Sequence, residues 1–102
     1  MLDRWVQKSI EESLSKFLKE LSRPESVAEI LPKGVRIEFP KKDGFGDISS
    51  PVSLNLASAL KLPPRKVAEG LLRHFGKDSR FRTIEIAGPG YVNFTFDHVA
   101  FR

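Results

Sequence analysis

The sequence predicts an α+β domain: a small antiparallel sheet with helices packed on one face, in the order α-α-β-α-α-β-β. Apolar residues recur at the helical spacing of three and four positions over 2–21, 51–60 and 62–76. Apolar and polar residues alternate, as they do in half-buried strands, over 35–39, 83–87 and 91–96. At 102 residues, 40% of them hydrophobic, the chain suits a single domain, 1–102, with one core.

Two helices are predicted at the start of the chain. The first, 2–21, has an apolar stripe on one side and charged residues on the other. Because those charges balance, packing on a sheet is favoured over lying on a membrane surface. Pro24 breaks this helix and begins the short second one, PESVAEIL, which Pro32 and Gly34 end.

The first strand is predicted at VRIEF, 35–39, with its apolar side chains facing the core: Val35, Ile37 and Phe39. A loop, PKKDGFGD, follows over 40–47. Ser50 and Pro51 then have the residue types of a helix N-cap and first helical position, so a third helix is expected from there to about Leu60.

The fourth helix is predicted within LPPRKVAEGLLRHFG, where Pro64 begins it and Gly76 ends it. Gly70 lies inside this helix. A glycine there costs about 1 kcal/mol relative to alanine. We therefore expect another element to approach the helix closely at Gly70.

A hairpin is predicted to close the domain. The strands 83–87 and 91–96 are joined by a three-residue turn with two glycines, Gly88-Pro89-Gly90. Since each strand has one apolar face, the other face of the sheet should be open to water or only partly covered. The side chains expected on that open face are Arg36, Glu38, Thr83, Glu85, Tyr91, Asn93 and Thr95.

Positive charge is concentrated in one segment of the chain. The whole chain has a net charge of +4, whereas residues 61–82 alone hold seven basic and two acidic side chains. A local basic excess of this kind suggests a polyanionic partner, nucleic acid first, with an ordinary solvated face as the equal alternative on charge alone. The candidate phosphate contacts are Lys61, Arg65, Lys66, Arg73, Lys77, Arg80 and Arg82.

Several kinds of chemistry find no support in the sequence. There are no cysteines, which excludes a disulfide framework and a thiolate metal site and fits a cytoplasmic location. Neither His74 nor His98 has a partner at metal-ligand spacing, so we predict neither a metal site nor a catalytic residue. No run approaches the roughly 20 apolar residues of a membrane span, and no signal peptide is recognisable.

Binding of single-stranded RNA has more support. Tyr91 on an open sheet face could stack on an unpaired base. Asn93, two residues on, points the same way, and its amide could read a base edge. The alternative from the residues alone is that both side chains pack under another domain or loop.

The order of motifs resembles one known family. RIEFPKKDGFGDISS, LNLASALKLPPRKVAEGLL and IEIAGPGYVNF, in this order, are similar to the N-terminal additional domain of arginyl-tRNA synthetases. The resemblance covers about residues 35 to 96, and AGPGYVNF is its most specific part. Ile48 and Pro51 depart from the family pattern. Both lie at a predicted helix start, where we expect the departures to affect packing and not RNA recognition.

The resemblance implies a role in tRNA recognition. In that family the domain contacts the tRNA corner, and the positions of Tyr91 and Asn93 hold the base at D-loop position 20. The implied partners are tRNA(Arg) and the catalytic domain of the same full-length chain. The HIGH and KMSKS signatures of class I catalytic domains do not occur here. We therefore expect no catalytic residue and no cofactor in this fragment, with ATP and Mg²⁺ bound by a catalytic domain elsewhere.

Two alternatives remain open at this point. The chain could be a free-standing RNA-binding module of the same fold, or a domain whose open sheet face binds a protein. We expect a monomer. The sequence leaves undecided which base is preferred, which basic residues touch phosphate, and whether the Gly44-Phe45-Gly46-Asp47 loop contacts RNA.

Overall fold

The computed structural model describes residues 2–40, 46–75 and 81–97. Its elements are α1 (Leu2–Glu20), α2 (Val27–Ile30), β1 (Ile48–Ser50), α3 (Val52–Leu60), α4 (Pro64–Arg73), β2 (Phe81–Ala87) and β3 (Tyr91–Phe96). The predicted α+β class and the order α-α-β-α-α-β-β are confirmed. One strand, however, lies elsewhere in the sequence than predicted.

The first strand is Ile48–Ser50, not 35–39. The segment predicted as a strand touches the sheet at Glu38, whose backbone N–H and C=O bond the backbone of Ser49 at 2.7 and 2.8 Å. The prediction that Phe39 faces the core is wrong, since its side chain is 63% exposed. Alternation of apolar residues over 35–39 was therefore a misleading signal for a full strand.

Asp47 holds β1 against β3. Its backbone N–H donates to the Phe94 carbonyl at 2.8 Å, and its carboxylate accepts the Phe96 backbone N–H at 2.9 Å. These two bonds bring the residues that follow into register with β3. The strand escaped prediction because it is three residues long and two of them are serines, which have little preference for strands.

The three strands form one antiparallel sheet in the order β1-β3-β2. β3 is central, and Val92, Phe94 and Phe96 are buried on its helix-facing side. The predicted hairpin is confirmed, because Ala87 pairs with Tyr91 and the Gly90 N–H donates to the Ala87 carbonyl at 3.3 Å.

The helices supply the rest of the core. Apolar residues of α1, α3 and α4 are buried against the sheet: Val6, Ile10, Leu14, Phe17, Leu18, Val52, Leu56, Leu60, Val67, Ala68 and Leu71. The close approach predicted at Gly70 is confirmed. A methyl group on Gly70 would lie 2.3 Å from Cε1 of Phe17 on α1.

The helix starts follow local hydrogen bonding. Ser26 caps α2 in a reciprocal capping box with Glu29. α3 begins at Val52, and Ser50 does accept the Val52 N–H, at 3.2 Å, while donating to the Arg36 carbonyl at 2.6 Å. Ser50 thus ties the chain before β1 to the start of α3, but the N-cap position is Pro51 and not Ser50 as predicted, because the first helical residue is Val52. The end predicted for α4 at Gly76 lies outside the described residues; α4 is described to Arg73.

Candidate nucleic-acid interface

The sheet face that turns away from the helices carries four polar side chains in one row across the strands. The backbone of Glu38 pairs with Ser49, Ser49 stands opposite Asn93, and Asn93 stands opposite Glu85. Residues directly opposite in antiparallel strands share a face, with Cβ atoms about 4.5–5.5 Å apart. We call Glu38, Ser49, Asn93 and Glu85 the polar row.

Asn93 lies at the centre of the polar row and is less exposed than predicted. The sequence places it on the open face, which is correct, but the residue is only 6% exposed. The reason is its place on the middle strand, where Ser49 and Glu85 flank it on both sides. The Ser49 hydroxyl donates to Asn93 Oδ1 at 2.8 Å.

The amide nitrogen of Asn93 keeps access to solvent. Within the described ranges, Nδ2 makes no hydrogen bond, and the one fully buried side-chain polar atom without a partner there is Ser53 Oγ. A nitrogen that is neither bonded nor fully buried faces the surface. Asn93 therefore presents its Nδ2 hydrogens at the open face.

Tyr91 lies at the start of β3 on the same face as Asn93, as predicted. Two residues along a strand are separated by roughly 7 Å, about the distance between a stacked ring and the edge of the same base. The Tyr91 ring is half-buried, and the residue opposite it on β2 is Ala87, whose side chain is a single methyl. The neighbouring strand thus leaves much of the ring accessible.

Arg65 is the basic residue that the structure ties to this end of the sheet. Its guanidinium donates to the Gly88 carbonyl at 3.2 Å, in the turn just before Tyr91. The start of α4 packs on the same turn, since a methyl group on Gly90 would lie 2.9 Å from Cβ of Pro64. The exposed Lys61 and Lys66 flank this contact in sequence. We call 61–66 the α3–α4 junction.

Arg73 and Arg82 lie away from the turn. Arg73 ends the ten-residue α4, about 15 Å from its start. Its guanidinium hydrogen-bonds the Glu20 carboxylate and sits 5.8 Å from the centre of the Phe17 ring, and its hydrogen bond lowers the pKa of Glu20. Arg82 precedes Ala87 by five residues on β2, roughly 16 Å from the turn.

The described basic residues of segment 61–82 therefore fall into two separate groups. Of the seven candidate phosphate contacts, Lys61, Arg65 and Lys66 belong to the α3–α4 junction, and Arg73 and Arg82 lie at the other end of their elements. Lys77 and Arg80 lie outside the described residues. Sequence spacing could not separate these groups, because α4 carries its two ends to opposite sides of the domain.

The glycine loop has a structural role in the part that is described. Gly46 has φ +79°, and a methyl group there would lie 2.8 Å from the Phe94 carbonyl oxygen. Asp47 makes the two bonds to β3 given above. Gly44 and Phe45 lie outside the described residues, so contact of this loop with RNA stays undecided.

Candidate metal ligands do not cluster in the described residues. No group of three or more His, Asp or Glu side chains there could hold a metal ion. His74 lies 3.1 Å from the Glu20 carboxylate, and His98 is outside the described residues. Of the helices in those ranges, none has the length and apolar character needed to cross a membrane.

The chemistry of the face follows from its charges. Glu85 makes one end of the polar row acidic, which disfavours phosphates directly over it, whereas Glu38 at the other end is paired with the Arg36 guanidinium at 3.6 Å. An aromatic ring and an amide can instead bind an uncharged base. Ser49 is absent from the site predicted from the sequence. The pattern that could have indicated it is the alternation of an inward apolar residue, Ile48, with an outward polar one, Ser49.

The fold recurs in solved synthetases. A Thermus thermophilus arginyl-tRNA synthetase matches 92% of this chain and 14% of its own length, with a TM-score of 0.62 and 24% identity. A Plasmodium falciparum arginyl-tRNA synthetase matches 90% of this chain and 17% of its own, with a TM-score of 0.57 and 11% identity. The architecture is thus one found within much longer chains.

The family follows from the sequence match. Residues 6–96 match the family described as Arginyl tRNA synthetase N terminal domain, and the chain belongs to that family. An arginine–tRNA ligase of Frankia alni is 46% identical over 65 residues, covering 64% of this chain and 12% of that protein. One of Thermotoga maritima is 40% identical over 76 residues, covering 69% and 14%. The chain spans about an eighth of the length of these relatives.

Proposed function

We propose that this chain is the tRNA-recognition domain of an arginine–tRNA ligase and that it binds the D-loop of tRNA(Arg). Tyr91 stacks on an unpaired base, and Asn93 contacts the edge of the same base. The α3–α4 junction holds the adjoining phosphates. The base meant here is the one at D-loop position 20, to which the resemblance points.

The observation that supports this most is the placement of three unlike groups at one end of the sheet, two on its open face and one at the adjoining turn. These groups are the ring of Tyr91, the amide of Asn93 and the guanidinium of Arg65, which bonds the Gly88 carbonyl. Each suits a different part of a nucleotide: the base plane, the base edge and the phosphate. The Glu85 carboxylate disfavours phosphates beside Asn93, whereas the basic α3–α4 junction favours them at the adjoining turn.

The activity of the full-length protein is part of the same proposal. The relatives are arginine–tRNA ligases, enzymes that join arginine to tRNA(Arg) with the energy of ATP. In this proposal the catalytic domain, with ATP and Mg²⁺, lies beyond the present chain and is a partner of this domain. The domain itself contributes recognition in the cytoplasm, acts as a monomer, and has no catalytic residue.

Replacing Tyr91 by alanine should weaken binding of tRNA(Arg) by about 1–3 kcal/mol, the contribution of one stacked base. The melting temperature should change little, because the ring is only half-buried. Titration of the isotope-labelled chain with tRNA(Arg), followed by amide shifts, measures both the affinity and the site. Phe39→Ala is the matched control, since it removes an exposed ring that has no part in the proposed site.

Two outcomes would contradict the proposal. If Tyr91→Ala binds as wild type does, the ring does not stack on RNA. If binding is insensitive to salt, a protein partner is favoured, because phosphate contacts make affinity fall steeply as salt rises.

Arg65→Gln should weaken tRNA binding and reduce the slope of log affinity against log salt by about one, the effect of losing one phosphate contact. Arg73→Gln should leave that slope unchanged, because Arg73 is engaged by Glu20 at the far end of α4. The two variants remove the same charge from the same helix. Equal changes in slope for both would mean that position on α4 does not matter and that the charge acts nonspecifically.

A further inference from the structure

We propose that Ser49 is a positioning residue that fixes the Asn93 amide, so that the amide offers RNA its Nδ2 donor rather than its Oδ1 acceptor. The inference rests on the proposed function for its RNA partner. It begins from the hydrogen bond between Ser49 Oγ and Asn93 Oδ1, 2.8 Å long and shared by two residues that are each 6% exposed. That bond occupies the carbonyl end of the amide.

An asparagine amide without a fixed partner is ambiguous to a ligand. Turning it by half a rotation exchanges Oδ1, an acceptor, with Nδ2, a double donor. Of the two residues opposite Asn93, only Ser49 has a hydroxyl that can donate; the other, Glu85, is a carboxylate and can only accept. Ser49 is therefore the cross-strand neighbour able to hold Oδ1 inward.

The charges of the polar row favour the same orientation. Glu85 stands directly opposite Asn93, so an outward carbonyl oxygen would lie near a carboxylate and be repelled. The Nδ2 hydrogens are attracted to that carboxylate instead. Both the hydroxyl of Ser49 and the carboxylate of Glu85 thus favour the orientation with Oδ1 toward Ser49 and Nδ2 on the side of Glu85, which leaves Nδ2 as the group of the amide that a base can contact.

The consequence is a rule for the base that binds. The base must turn an acceptor atom toward Nδ2, since a base N–H there would face another donor and leave both unpaired. One neutral hydrogen bond raises affinity about fivefold, and a mispaired contact of this kind loses that contribution. In this account the selectivity arises from Ser49, although Ser49 does not touch RNA.

The orientation can be tested without RNA. The sequence has three side-chain amides, Gln7, Asn55 and Asn93, which gives the experiment its own references. Gln7 donates to the Val35 carbonyl at 2.9 Å, whereas Asn55 is exposed. We expect Ser49→Ala to change the signals and the exchange rate of the Asn93 side-chain amide while leaving those of Gln7 and Asn55 as in wild type. An Asn93 amide that is unchanged in Ser49→Ala would overturn the proposal.

The effect on selectivity is tested with tRNA(Arg) transcripts that carry each of the four bases at D-loop position 20. Ser49→Ala should reduce the ratio of the strongest to the weakest affinity by about fivefold. Ser49→Thr keeps the hydroxyl and should restore the ratio. Thr83→Ala, which removes an exposed hydroxyl from the same face of β2, should leave the ratio unchanged.

The outcomes separate this inference from the function on which it rests. A wild-type ratio in Ser49→Ala overturns the positioning role, even if Tyr91→Ala still weakens binding. If the wild type binds all four transcripts equally and Tyr91→Ala has no effect, the proposed function fails instead. In that case the exchange measurement still decides whether Ser49 fixes the amide.

Discussion

Replacing Phe94 by alanine is expected to lower the free energy of unfolding by about 3–5 kcal/mol, the cost of removing a fully buried phenylalanine from a core. Phe94 is 0% exposed and lies at the middle of the central strand, opposite Ile48 on β1 and Ile84 on β2. Its ring meets Phe75 edge-on, with centroids 5.4 Å apart, and Phe81 at 5.2 Å. The cavity would open where all three strands meet the helices.

A loss of that size is a large part of the stability expected for a domain of this length, about 5–15 kcal/mol. Urea unfolding of wild type and variant, followed by circular dichroism, measures it. Phe39→Ala removes the same ring from a side chain that is 63% exposed and should change stability by less than about 0.5 kcal/mol. A loss below about 1 kcal/mol for Phe94→Ala would contradict the assigned strand register.

The fold was predictable where a strong periodic pattern coincided with a clear beginning or end. Three sequence patterns each predict one kind of element and no other. They are the apolar stripe of α1, the proline that begins α4 (Pro64), and the turn Gly88-Pro89-Gly90 of the hairpin. β1 lacked such a mark. Its position depends on hydrogen bonds from Asp47 to residues more than 40 positions away, and local propensity does not report contacts of that range.

The candidate site was predictable in part for the same reason. Alternation along β3 places Tyr91 and Asn93 on one face, and the structure agrees. Alternation says nothing about which neighbours flank a residue. The burial of Asn93 by Ser49 therefore emerged only with the sheet order, and so did the separation of Arg65 from Arg73 along α4.

Gly46 links that long-range pairing to the site, and Gly46→Ala should destabilise the domain by about 2–5 kcal/mol. A left-handed backbone at φ +79° costs an alanine about 1–2 kcal/mol. The new methyl group would also lie 2.8 Å from the Phe94 carbonyl oxygen, and overpacking of this kind costs about 1–3 kcal/mol. That oxygen cannot withdraw freely, because it accepts the Asp47 N–H.

Gly34→Ala is a matched control for the close contact. Gly34 has φ +80°, nearly the same as Gly46, but no atom lies within 4 Å of a methyl group placed on it. The two substitutions share the backbone strain and the change in the unfolded chain, so their difference in urea unfolding isolates the contact with β3. We expect Gly46→Ala to be worse by at least about 1 kcal/mol. Equal losses would show that the loop can move off β3 without cost.

The same variant connects stability to recognition. If the chain at Gly46 is pushed away from β3, Asp47 loses its bonds there and β1 is no longer held in register. Ser49 would then leave Asn93, because that contact depends on the pairing of β1 with β3. Gly46→Ala should therefore reduce base selectivity as Ser49→Ala does, whereas Gly34→Ala should not. Selectivity that survives in Gly46→Ala would mean that the amide of Asn93 is fixed by something other than β1.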